Sequence, residues 1–391
     1  MTKIKIKCII IKKSEERHYV VILKIGKSLV KFIKRNTVMS IAFFLALMTC
    51  FFVPIDKAYI NYFDFKTLAC LFCVLAVVCA LKIIIFFYIL ARKIVSLFKN
   101  ERMCIIALVY ITFIGSMLIA NDMALLTFLP LGYLVLFTAK KEKHMAFTFI
   151  MQNIAANLGG MLTPFGNPQI LYLYTVFEIP TKEFVKIMTP PFIISIALIT
   201  VCCLFIKPEP LELTEEKVIF NKKKAFVYLF LFFVAIAIVF RTIPYIAGLV
   251  IIVTVLLFTD RDALKMVDYP LLFTFVFFFV FSGNMARIDI VRTFFSFLLE
   301  KSTLIFSIFS CQIISNVPSA ILLSQFTDNY RDLLVGVNIG GVGTLISSLA
   351  SLITFRQYSN YYPTKVKSYL KMFTIYNFGF LIILTAFMCI I

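Results

Sequence analysis

Two stretches carry matched polar and helix-breaking residues inside otherwise apolar sequence. One runs Asn157-Leu-Gly-Gly-Met-Leu-Thr163 and continues through Pro164-Phe-Gly-Asn-Pro168. The other runs Asn338-Ile-Gly-Gly-Val-Gly-Thr344. A second matched pair lies upstream: Ile119-Ala-Asn121-Asp122 and Ile314-Ser-Asn316-Val317, the latter followed by Pro318. Glycine weakens a helix, and proline lacks a backbone donor. Each such break frees carbonyls at one helix end and N–H groups at the next. The carbonyl end carries partial negative charge and suits a small hard cation. The N–H end carries partial positive charge and suits an anion.

The side chains at these breaks define a candidate site. Asn121, Thr163, Gly166, Asn167, Ser315, Asn316, Pro318, Gly343, Thr344 and Ser347 are the substrate-binding candidates. Asp122, with Asn121 and Asn316, is the candidate for coupling a cation. Asp122 is the carboxylate set deep in an apolar region, and its partner in the other half is Val317; buried carboxylates in membranes are costly and usually functional. Competing readings are structural: Asn and Asp as helix caps, Thr163 and Thr344 bonding back to their own helices, and the Gly pairs as close-packing points.

The surrounding sequence must hold these breaks in lipid. The chain is 61% hydrophobic, 15% charged, and has a mean hydropathy of +0.98. That excludes a soluble enzyme and predicts an all-α polytopic membrane protein. A break inside the bilayer is tolerated where it is buried in protein or lines a watery cavity. Two interrupted helices at matching positions in two halves point to the binding site of a secondary transporter.

The organisation follows from the pattern. Residues 1–36 form a basic N-terminal segment, with eleven Lys and Arg in the first 35 residues. It reads as a cytoplasmic or interfacial helix rather than a signal peptide. Residues 37–206 form the first half, with a re-entrant hairpin at 103–138 and a broken helix at 145–177. Residues 207–224 are a cytoplasmic linker. Residues 225–391 form the second half, with a hairpin at 303–325 and a broken helix at 333–355. The net charge of +19 fits cytoplasmic loops rather than a nucleic-acid partner. With the N-terminus inside and each hairpin returning to its own face, about three quarters of the 39 Lys and Arg lie inside. The two repeats are then inverted. The ten cysteines, including Cys70 and Cys73, read as small packing residues rather than zinc or redox sites.

At Ala120-Asn121-Asp122, Thr163-Pro-Phe-Gly-Asn-Pro168, Ser315-Asn316-Val317-Pro318 and Gly340-Gly-Val-Gly-Thr344 the chain resembles the ion transporter superfamily of secondary carriers. That group includes arsenite permeases, citrate–metal carriers, sodium–proton exchangers and divalent anion–sodium symporters. The likeness covers roughly residues 37–391. It implies two inverted repeats, each with a re-entrant hairpin and a broken helix, a transport domain moving against a scaffold, and a homodimer. In the symporters a Ser-Asn-Thr triplet at each hairpin tip binds carboxylate and helps hold sodium. Asn121, Asn316 and Ser315 carry over, and the Asn-Asp tip is similar to the arsenite permease branch.

The expectation is therefore a multi-pass carrier in the cell membrane, not an enzyme, moving a small anion by alternating access. A citrate-like carboxylate or an inorganic oxyanion is the expected substrate, with Na⁺ or H⁺ as coupling ion and no other cofactor. A Na⁺/H⁺ exchanger without organic substrate, and an arsenite-type efflux permease, are the alternatives.

Overall fold

The computed structural model describes residues 32–33, 36–210 and 221–391. Most of the basic segment expected over residues 1–36, and the middle of the linker at 207–224, lie outside the described residues. Among the described residues the regular structure is helical, with one isolated bridge, Asn100 to Pro210.

The first half contains α1 (Thr37–Cys50), α2 (Phe65–Ile83), α3 (Phe86–Val95), α4 (Glu101–Ile119), α5 (Asn121–Thr138), α6 (Met145–Gly159), α7 (Pro168–Val176) and α8 (Thr181–Leu204). The second contains α9 (Lys222–Val239), α10 (Tyr245–Thr259), α11 (Arg261–Lys265), α12 (Tyr269–Ala286), α13 (Asp289–Lys301), α14 (Thr303–Ile314), α15 (Asn316–Leu323), α16 (Tyr330–Ile339), α17 (Leu349–Tyr361) and α18 (Val366–Ile390). Among the described residues six stretches are long and apolar enough to cross a membrane: α2, α4, α5, α8, α12 and Pro363–Ile390, which contains α18. The protein is a polytopic integral membrane protein.

Local chemistry sets the helix starts in the same way in both halves. Asp64 caps α2 by accepting from the Lys66 and Thr67 amides, and Asp268 caps α12 by accepting from that of Leu271. Asn100 caps α4 through the Met103 amide, and Ser302 caps α14 through that of Ile305. Each cap satisfies a donor that the first turn leaves unpaired.

Packing is also reciprocal. α5 lies against α17, and α15 lies against α7. α4 packs on α6 as α14 packs on α16, and α8 packs on α18. Glycines permit the closest of these contacts. A Cβ on Gly159 would lie 2.3 Å from the Phe113 carbonyl oxygen, and one on Gly336 would lie 2.9 Å from that of Leu304.

Charged contacts collect at the two ends of the helix bundle. At one end, buried Glu101 at the start of α4 lies 3.5 Å from both Lys141 and His144, just past the end of α5. Glu209 accepts from Lys141 at 2.5 Å and Lys143 at 2.8 Å. Asp260 receives Lys224 and the Tyr228 hydroxyl, and Tyr362 donates to Glu142. At the other end, Arg287 grips Asp56 through two bonds of 3.1 and 2.7 Å, and Arg331 meets Glu183. The α4–α5 pair thus begins and finishes at the first end. The α14–α15 pair begins and finishes beside Phe295, which contacts both Phe306 and Phe326 near the second end.

The two pairs differ in reach. α4 and α5, at 19 and 18 residues, are each about 27–28 Å long, whereas α14 and α15, at 12 and 8, are about 18 and 12 Å.

The lysine knot gives a pH prediction. Lys141 and Lys143 hold the Glu209 carboxyl at about 2, below its ordinary 4.5. A carboxyl lowered on folding stabilises above its unfolded value, and that gain is lost as pH falls through the folded one. Thermal unfolding in detergent is expected to show wild type ahead of Glu209→Gln at pH 6. The gap should narrow below about pH 4.5 and close near pH 2.

Candidate functional site

The four breaks come together in the interior. The hairpin turns are single residues, Ala120 at φ 64° ψ 152° and Ser315 at φ 76° ψ 158°. This region of backbone space is essentially reserved for glycine and costs on the order of 1–3 kcal/mol elsewhere. Two non-glycine residues hold it at equivalent positions, so the surrounding contacts enforce it.

Those turns aim the next side chain. The Asn121 Oδ1 accepts from the Asp122 amide at 2.9 Å, and the Asn316 Oδ1 accepts from the Val317 amide at 2.9 Å. With each oxygen engaged by backbone, the Nδ2 groups are the ends left to point inward. Asn121 Nδ2 donates to Asn157 Oδ1 at 3.3 Å. Ser348 Oγ donates to the same oxygen at 2.8 Å. A Cβ built on Gly341 would lie 3.1 Å from Asn316 Nδ2 and 3.6 Å from Asn157 Oδ1. Asn121, Asn157, Asn316, Gly341 and Ser348 therefore surround one point, drawn from both halves and all four breaks.

Each expected site residue has a definite place. Thr163 donates its hydroxyl to the Met117 carbonyl at 2.7 Å, and Thr344 donates to the Gln312 carbonyl at 3.1 Å. Met117 and Gln312 each stand four residues before the tip asparagine of their own hairpin. The two threonines thus tie break to hairpin in matching fashion, with their hydroxyl protons spent on neighbouring backbone rather than on their own helices. Asn167 is nearly fully buried. It does not cap α7; its Nδ2 donates to the Asn157 carbonyl at 3.1 Å, and its Oδ1 is buried without a partner. Gly166 sits where a Cβ would come 2.2 Å from the Gly160 carbonyl oxygen.

Gly343 has φ +128°, and a Cβ there would strike the Gln312 side chain at 2.1 Å. Ser347 donates to the Thr344 and Gly341 carbonyls, and its own carbonyl accepts from the Asn316 amide and Ser315 Oγ. Pro318 is buried in the first turn of α15. Asp122 is half-buried in the first turn of α5, and its Oδ1 is buried without a partner.

Sequence reading left out several residues at this centre. Asn157 and Asn338 open the matched motifs, and that repetition was their signal. Gln169 Nε2 donates to Asn338 Oδ1 at 3.1 Å, so each break reaches the asparagine of the other half. Gln312 binds the second break three ways: its Oε1 accepts from the Thr344 amide, and its Nε2 donates to the Gly340 and Val342 carbonyls. Its signal was a lone amide one turn before a hairpin tip. Glu101 is a fully buried carboxylate, hidden from sequence reading by its place at a helix start.

Apolar helices thus surround paired, polar, interrupted elements, and the comparisons with known proteins point to a transporter. The chain belongs to the citrate transporter family, whose profile matches residues 19–330. It is 33% identical over 295 residues to a protein from Methanocaldococcus jannaschii described as an uncharacterized transporter. That match covers 75% of this chain and 81% of the relative. It is also 28% identical over 316 residues to the inner membrane protein YbiR of Escherichia coli, covering 78% of this chain and 83% of that one. The family is one of secondary transporters of the citrate or anion kind.

Proposed function

We propose that this protein is a secondary active carrier of a small anion, a citrate-like di- or tricarboxylate or an inorganic oxyanion, driven by Na⁺ or H⁺. The observation that carries the reading is the orientation of the two tip asparagines. Their oxygens are held by backbone N–H groups, so the amide nitrogens of the two hairpins turn toward a common centre, where Asn121 has one N–H on Asn157 and a second to offer. Donors aimed from fixed backbone suit an anion, because no reorganisation is needed when charge arrives.

The carrier works by alternating access. The halves are inverted repeats, and the α4–α5 and α14–α15 pairs are re-entrant hairpins entering from opposite faces. Two facts support this: each pair begins and ends at its own end of the bundle, and α5–α17 mirrors α15–α7. The end holding the Lys141–Glu209 knot is cytoplasmic, together with the N-terminus, a placement that the distribution of Lys and Arg supports. The working unit in the cell membrane is a homodimer, following the wider superfamily.

Asp122 couples the cation, with Asn121 and Asn316 beside it. Its buried, unpartnered oxygen is the feature that also favours the second reading, a Na⁺/H⁺ exchanger without organic substrate. An arsenite-type efflux permease is the third.

Reconstituted liposomes decide among them. Labelled citrate, phosphate and arsenite are offered with and without a sodium gradient or a proton gradient. Citrate or phosphate accumulation driven by one gradient is expected, and Asp122→Asn should abolish the gradient's effect. Proton flux with sodium alone would establish the exchanger. Arsenite movement alone would establish the efflux permease.

A further inference from the structure

A cavity of about 390 Å³ opens beside α7, away from the break centre. Its wall includes Asn61, Asp64, Lys66, Thr175, Glu178 and Gln325. That volume falls in the range of small-molecule sites. α7 joins the two places: its first residue, Pro168, adjoins the breaks, and Thr175 lines the cavity about 10 Å further along the helix. The wall draws on α2 and α12 on one side and on α7 with the residue after Ser324 on the other. The cavity therefore lies where α2 and α12 meet α7 and the end of α15, helices that also pack on one another.

Toward the opposite end aromatic rings pack together. Tyr133 of α5 stacks on Tyr361 of α17 at 3.7 Å, and Tyr358 stacks on Tyr369 of α18 at 4.3 Å. Tyr362 is bonded to Glu142 beneath them. A path from the breaks toward that end meets packed rings; a path along α7 meets a polar cavity.

One charge pair in the cavity is loose. Lys66 lies 3.8 Å from Glu178, whose side chain is 76% exposed. Exposed pairs of this kind are weak and exchange partners readily. The Glu178 backbone is fixed independently: it holds φ 49°, and its carbonyl accepts from Arg241 at 3.0 Å. The Asp64 carboxylate is spoken for by the α2 amides and the Thr67 hydroxyl. Lys66 is thus the cavity's available cation, and Glu178 is a carboxylate that competes for it.

We propose that this cavity is an outer loading site, where a carboxylate or oxyanion binds Lys66 in place of Glu178 before passing along α7 to the breaks. The inference rests on the carrier reading above. It gives Lys66 and Glu178 opposite signs. Lys66→Gln removes the anion's partner and should raise the half-saturating concentration for citrate or phosphate on the order of tenfold. Glu178→Gln removes the competitor and should lower it. An ion pair that served as a structural staple would shift both variants the same way, and that result overturns the proposal.

A second measurement does not depend on transport. Gln325 is exposed at the cavity wall. In intact cells, Gln325→Cys in the full chain should react with a membrane-impermeant maleimide added outside, above the wild-type cysteine background. Millimolar citrate or phosphate should slow that reaction. Labelling only from the cytoplasmic side, or no protection by either anion, overturns the loading site whatever uptake shows. Absence of uptake by wild type overturns the carrier reading instead, and protection of the cysteine then still decides the cavity.

Discussion

Asn316→Ala is expected to reduce anion uptake on the order of 100-fold, the loss that follows from removing a buried hydrogen bond to a charged group. Asn316 is 3% exposed, and its oxygen is committed to the Val317 amide. Alanine leaves that amide unpaired at the start of α15, at a cost of about 1 kcal/mol, so the chain should still fold. Asn316→Asp separates the two jobs of this side chain. It keeps the acceptor for Val317 but replaces the donor with a second acceptor, and for an anion it should be as inactive as alanine. Liposome uptake, with size-exclusion profiles of both variants, makes the comparison. Full uptake by Asn316→Ala would remove this residue from the site.

Gly159→Ala is expected to damage the protein before transport is reached. The added Cβ would sit 2.3 Å from the Phe113 carbonyl oxygen and 2.7 Å from Ser116 Oγ. The first obstacle is backbone, so α4 has to move away from α6, at a cost of about 1–3 kcal/mol or more. That movement also displaces Met117, whose carbonyl receives Thr163. Thermal midpoint and uptake should therefore fall together. Gly379→Ala is the control. Nothing lies within 4 Å of a Cβ there, and alanine favours a helix, so α18 should hold or gain stability. A wild-type midpoint in Gly159→Ala would show that α4 and α6 are not pressed together at this point.

Much of the architecture was readable because lipid allows few solutions. Long apolar runs must be helices, and Gly-Gly, Thr-Pro and Asn-Pro sequences inside such runs must interrupt them. The matched motifs at 157–163 and 338–344 therefore located the breaks, and Ala120-Asn121 and Ser315-Asn316 located the turns between helix pairs. Glu101 and Gln312 were less legible, since a polar residue near a helix end looks the same in sequence whether it faces solvent or a neighbour's backbone. Hairpin reach was less legible for a similar reason: hydropathy records the length of an apolar run, not how much of it each helix of the pair takes up.

The sequence by itself determined that this is a helical membrane protein with two interrupted, matched halves, because local backbone chemistry and transfer from water act on each segment separately. Tertiary structure alone decided which polar groups meet. Asn157 joins Asn121 and Ser348, Gln169 reaches Asn338, and the threonine hydroxyls go to Met117 and Gln312. Those choices depend on distances between segments up to 191 residues apart. They are set by how close glycines let helices approach and by the need to pair every buried donor.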